Sequence, residues 1–166
     1  MVLSKRFVML GLAVVIGLTM SACNWNAQRN ADGSWTVTAT LTETDAQQAI
    51  DMALDDPLIK AVQVDFQNGY MTVSADRQRV NGSQTDKLTF RIDLSVVNGH
   101  LSLVVSDVRL AGQPVDPSLV SVWNQRIANR LERAGQRSPN STLQSVAVTP
   151  NDLTMVWHAQ GRQGRQ

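Results

Sequence analysis

Three Asn-Gly dipeptides, at 68–69, 81–82 and 98–99, each fall between stretches in which apolar and polar residues alternate. Both residues accept positive φ, which a two-residue hairpin turn demands, so the pattern predicts a run of antiparallel hairpins. Val62, Val64 and Phe66 lead into the first turn, and Met71, Val73 and Ala75 leave it. Between the second and third turns, Leu88, Phe90, Ile92, Leu94 and Val96 form a one-sided apolar stripe. A strand over 88–97 would be about 34 Å long, above the common length. Its return begins in phase with Leu101, Leu103 and Val105, slips at Ser106-Asp107 and resumes at Val108 and Leu110. Such a slip predicts a β-bulge that bends the sheet.

The flanks supply helices and further strands. Trp35, Val37, Ala39 and Leu41 alternate with threonines, the pattern of a half-buried strand. Thr42 and Asp45 then approximate a capping box, with Leu41 set for a staple onto Ala46. Ala46, Ile50, Ala53 and Leu54 share one helical face and Pro57 marks the stop. Asp116-Pro117 opens a second helix over 117–134, since Asp caps and Pro suits the first helical position. Leu119, Trp123, Ile127 and Leu131 recur at spacing four, with Val120 and Ala134 beside them. The helix would span about 27 Å and match the long strands. Val146 and Val148, a Pro150-Asn151-Asp152 turn, then Leu153, Met155 and Trp157 make a closing hairpin. The expected fold is α+β, order β-α-ββββ-α-ββ, a curved antiparallel sheet wrapped around the long amphipathic helix.

The N-terminus is of a different kind. Lys5 and Arg6 precede an apolar and glycine stretch over 7–18, too short for a comfortable transmembrane helix of about 20 residues. Met20-Ser21-Ala22-Cys23 then resembles a lipobox, the cleavage motif of bacterial lipoproteins, with Met20 in place of the more usual Leu. The resemblance implies that 1–22 is a signal peptide and that Cys23 takes up diacylglycerol and becomes the first mature residue. An ordinary signal with an incidental cysteine, or an uncleaved anchor helix, gives no reason for the chain's one cysteine to sit there. Two or more acyl chains give stable anchoring, so the expected location is the extracytoplasmic side of a membrane. Asn24 after the cysteine resembles an outer-membrane sorting signal in hosts with two membranes. Mostly polar residues 24–34 read as a tether, 35–160 as one α+β domain and 161–166 as a flexible tail.

Removing Lys5 and Arg6 from the 15 basic residues leaves 13 against 14 acidic ones, a mature charge of about −1. That gives no electrostatic footing for nucleic acid.

A helix opened at Thr42, a β-meander, the stretch Val108-Arg109-Leu110-Ala111-Gly112-Gln113-Pro114-Val115, a second helix and a final strand pair together resemble small bacterial tubular lipid-binding (TULIP-like) domains, the LmeA-like and YpmS-like families. Gly112-Gln113-Pro114-Val115 is similar to their G-x-P-[VL]-P connection, with Asp116 where the family often has Pro. The resemblance implies a hydrophobic groove between curved sheet and helix that holds the acyl chains of a phospholipid, and it carries over no catalytic motif. The residues themselves place Phe90, Ile92, Leu94, Leu103, Trp123, Ile127 and Leu131 in such a groove. The same stripes also describe a filled core, because patterning does not register a cavity.

Catalytic chemistry has a thin inventory. His100 beside the third turn and His158 in the last strand have no third partner in the sequence pattern and no zinc-ligand spacing. Asp51, Asp55 and Asp56 form an acidic helix end without calcium-loop spacing. There is no phosphate loop, GxSxG or HExxH. Arg126, Arg130 and Arg133 share the outer face of the long helix, either a solvated face or a contact for anionic headgroups or a cell-wall polymer. The chain is thus expected to be no enzyme, with no metal and no cofactor. Two functions remain: a lipid-anchored binder of a hydrophobic ligand, or an accessory scaffold or inhibitor with a solid core that binds a protein partner.

Overall fold

The computed structural model describes residues 24–54, 57–80, 82, 84–135 and 140–160. The signal segment, Cys23 and the expected tail lie outside them. The meander forms as expected: β3 (Ile59–Gln67), β4 (Tyr70–Gln78), β5 (Thr85–Val97) and β6 (His100–Leu110) pair antiparallel in sequence order. Asn98 and Gly99 both take positive φ, 52° and 74°, as the expected turn requires. The slip at Ser106-Asp107 is a bulge: Thr89 faces Arg109 and Arg91 faces Ser106, so Phe90 opposes both Asp107 and Val108. Asp107 sits at φ 51°, which Asp tolerates better than most residues, and both Val105 and Val108 stay on the buried side. A second bulge between Lys60 and Gln63, with Ala61 at φ 52°, does the same for Val62 and Val64. The Asn81-Gly82 hairpin is looser than a two-residue turn, since strand pairing stops at Gln78 and Thr85. Arg79 closes that loop with a two-point contact to Asp86, at 2.9 and 2.6 Å.

The architecture corrects the expected single wrapped sheet. Among the described residues there are two antiparallel sheets and two helices, in the order β-β-α-βββββ-α-ββ, and neither sheet is strongly curled. Ala111-Gly112, at φ 52° and 78°, turns the chain into a fifth strand, β7 (Gln113–Pro114), on β6. The polar stretch expected to be a tether instead forms β1 (Asn24–Arg29), paired along its whole length with β2 (Trp35–Leu41). Its alternation is faint in the sequence because only Trp25 and small Ala27 stand among Asn and Gln. The closing hairpin, β8 (Ser141–Val148) and β9 (Leu153–Ala159), pairs with β2 to give a second sheet in the order β1-β2-β9-β8. Hairpin tips of the five-stranded sheet meet β8: Gly69 N–H donates to Val148 O at 3.0 Å, and Leu143 N–H to Gly99 O at 2.7 Å. A Cβ on Gly99 would come within 3.3 Å of Thr142 Cβ, so glycine answers here both to the turn and to this approach.

The core lies between the apolar faces of the two sheets. Phe66, Met71, Val73, Ala75, Leu88, Phe90 and Ile92 are buried with Val148 and Leu153 from the second sheet. Each helix guards one edge of the five-stranded sheet, where strand N–H and C=O groups would otherwise be open. Helix α1 (Glu43–Leu54) starts from the expected box: Thr42 N–H donates to Asp45 Oδ2 at 2.8 Å, and Asp45 N–H to Thr42 Oγ1 at 3.3 Å. Ala46 is buried and Ile50 and Leu54 pack on the core, while Ala53 is exposed. Glu43 Oε1 accepts the N–H of Phe66 on edge strand β3 at 2.7 Å.

Helix α2 (Pro117–Gly135) packs along β6, on the opposite edge. Its inner line is Val120, Asn124, Ile127 and Leu131, all half-buried, rather than the spacing-four set. Leu119 is 52% and Trp123 38% exposed. Spacing four drifts about 40° per step on a helix of 3.6 residues per turn, so the set does not stay on one line. Asn124 fixes the rotation: its Oδ1 accepts Val105 N–H at 2.7 Å and its Nδ2 donates to Val105 O at 2.8 Å, as a neighbouring strand would. Asn124→Ala leaves both groups of Val105 without partners at a shielded edge. It is expected to cost about 1–3 kcal/mol, read as a lower urea midpoint for the exported full chain.

Candidate functional site

The face of the five-stranded sheet turned away from the core carries a groove of about 680 Å³. Alternation along β3–β6 puts polar residues there: Gln63 and Asp65 on β3, Tyr70, Thr72 and Ser74 on β4, Thr89 and Arg91 on β5, Asp107 and Arg109 on β6. Gln47 of α1 closes one side. Arg91 is the organised group. Its guanidinium forks onto Asp93, with Nε 2.8 Å from Oδ2, and lies 3.9 Å from the centre of the Tyr70 ring. The hydrogen bonds to Asp93 hold its pKa above the ordinary arginine value, so it stays cationic. Across the groove, Arg109 Nη1 donates to Gly112 O at 3.3 Å. Asp65 accepts from Gln67 and Thr72 and, with Asp107, supplies the opposite charge. The site offers hydroxyls, amides, both charge signs and one ring, which suits recognition of a polar surface by hydrogen bonds.

The residues expected to line an apolar groove lie on the other face. Phe90 and Ile92 are buried in the core, and Leu94, Leu103 and Ile127 pack against it half-buried. Leu131 is half-buried farther along α2, and Trp123 is turned outward. Five of the seven thus belong to the core or pack against it. Arg126, Arg130 and Arg133 are exposed on α2; the Nε of Arg133 donates to Asn129 O at 3.0 Å. None of the three arginines makes an ion pair among the described residues.

The histidines come closer than the sequence suggests. His158 pairs with Thr142 across β8–β9, and His100 follows Gly99, which abuts Thr142. Among the described residues no three His, Cys, Asp or Glu side chains gather as a metal site. Asp51 is exposed on α1, and Asp55 and Asp56 lie outside the described residues. No described helix is long and apolar enough to cross a membrane. Reasoning from the sequence misses the polar groove because it follows only the apolar half of each alternating strand; Tyr70, Arg91 and Arg109 are legible as the other half.

Comparison with known proteins finds no matching family model, no similar curated protein and no similar solved structure.

Proposed function

We propose that this chain is a lipid-anchored, extracytoplasmic accessory lipoprotein that breaks no bond and binds a protein partner through the polar groove of its five-stranded sheet. The observation that carries this reading is the contrast between the sheet's two faces: the apolar one is covered by the second sheet and both helices, while the other presents Tyr70 and Arg91 as a pre-set pair. Arginine and tyrosine are the types that anchor protein interfaces. Anchoring is supported by the lipobox-like segment ending at Cys23. A photoreactive residue placed at Thr72 or Thr89, in the full chain in its own envelope, should give one discrete protein adduct. Arg91→Glu should lower that adduct about tenfold, the effect of ~1.4 kcal/mol.

A second reading, a hydrophobic-ligand carrier resembling the TULIP-like domains, is favoured by one feature. Leu94, Val96, Leu101 and Leu103 remain only half-buried near the β5–β6 tip, and α2, with half-buried Ile127 and Leu131, packs along β6. Acyl chains laid there would gain about 0.8 kcal/mol per buried methylene. Absence of an adduct, with stoichiometric lipid retained in native mass spectrometry, would replace the first reading by this one.

A further inference from the structure

The two sheets do not cover each other completely. From the strand pairing, Trp25, Ala39, Met155 and Val146 lie in one row across the second sheet, and Ala27, Val37, Trp157 and Leu143 in the next. Trp35 follows on the same face. At the β8 side this face is sealed: Leu143 and Val148 are buried. At the β1 side it overhangs. Trp25 is 47% and Trp35 39% exposed, and Trp25 stacks on half-buried Trp157 with ring centres 5.9 Å apart. Three of the chain's four tryptophans therefore cluster on one open apolar ledge.

The position of the ledge points to its occupant. Strand β1 begins at Asn24, the residue after Cys23. Successive Cα atoms are 3.8 Å apart, so Trp25 stands within about 8 Å of the Cys23 Cα, with no tether between them. An acylated Cys23 holds its Cα at the level of the lipid glycerol groups, and the ledge is brought to that depth with it. Tryptophan is enriched at this depth, where an apolar ring and a polar N–H both find their medium. The charges agree. Strands β1, β2 and β9 carry Arg29 and His158 and no carboxylate. The nearby acid Asp32 is turned onto Ser34, accepting from its N–H at 2.9 Å and its hydroxyl at 2.6 Å. Among the described residues no strand pairs with the outer side of β1, and open backbone groups there are intolerable in hydrocarbon but satisfied among headgroups and water.

We infer that the Trp25–Trp35–Trp157 ledge is a membrane-interface surface, which seats the domain directly on the bilayer that anchors it, with Trp25 in the glycerol region and the polar groove left free for a partner. This rests on the lipoprotein reading of Cys23 and adds a second, non-covalent contact.

The test uses the full chain, exported, processed and reconstituted into phosphatidylethanolamine–phosphatidylglycerol vesicles whose acyl chains carry bromine near the glycerol. Intact mass first reports whether Cys23 is acylated. Bromolipid should quench the protein's fluorescence about twofold; Trp25→Phe should remove most of that loss and Trp123→Phe should not. Because Phe at position 25 keeps an aromatic side chain, unchanged far-ultraviolet circular dichroism is expected, and hydrogen exchange on the unaltered protein gives an independent reading. Amides of β1 should be protected in vesicles relative to detergent. Acylated protein with unquenched tryptophans and equal β1 exchange would overturn the inference while leaving the anchor intact. An unmodified Cys23 would overturn the anchor and the inference together. Quenching that survives Trp25→Phe and disappears with Trp123→Phe would place α2, not the ledge, on the bilayer and also overturn it.

Discussion

Replacing residues 1–22 with an ordinary cleavable signal and changing Cys23 to Ser should shift the protein from the membrane pellet to the soluble envelope fraction. A single myristoyl-sized chain gives an association constant of only about 10⁴ M⁻¹, and a second acyl chain raises this by at least roughly a thousandfold. On the proposed anchoring, removing both leaves only the weak interfacial contact proposed for the tryptophan ledge. Both changes are needed. Cys23→Ser alone would block acylation and the cleavage that depends on it, so the apolar stretch over 7–18 would stay attached and hold the chain at the membrane by another means. Intact mass separates the cases: acylation adds the mass of the chains to a protein beginning at residue 23, whereas the blocked variant keeps 1–22. A parent protein that starts elsewhere, or whose Cys23 is unmodified, would remove the anchor.

How much of this fold is legible in the sequence depends on whether a signal is local. The Asn98-Gly99 turn, the Thr42–Asp45 box and the bulge at Asp107 each need only a few neighbouring residues, and each is present in the structure. Sheet membership is a long-range choice. Trp35–Leu41 pairs with a strand more than a hundred residues away, and alternation alone does not say which edge receives it. Strand β1 is hard to read because Ala27 gives little apolar signal beside Asn26 and Gln28. On α2, Asn124 overrides the apolar periodicity, because two hydrogen bonds to Val105 fix the rotation at the cost of exposing Leu119 and Trp123. The apolar halves of β5 and β6 turn toward the core as their alternation predicts. Their polar halves, which line the groove, look like ordinary solvated faces until the strands are set side by side.

Phe66→Ala should destabilise the domain strongly, by about 3–5 kcal/mol. The ring is 2% exposed and is among the largest fully buried side chains. Its strand sits at the edge held to α1 through Glu43, so collapse around the missing ring would also strain that hydrogen bond. Against a total of about 5–15 kcal/mol for such a domain, this is at least roughly a fifth of its stability. The urea midpoint should fall by about 2 M. Phe90→Ala makes the informative companion, because Phe90 lies in the same core and heads the set expected to line an apolar groove. Buried at 8% exposure, it should cost nearly as much as Phe66, since neighbours in a filled interior relax only partly into the void. A cost below about 1 kcal/mol, together with loss of retained lipid, would mean that the ring borders space already open to a ligand. That pair of numbers decides between a solid core with a polar docking face and a carrier of hydrophobic ligand.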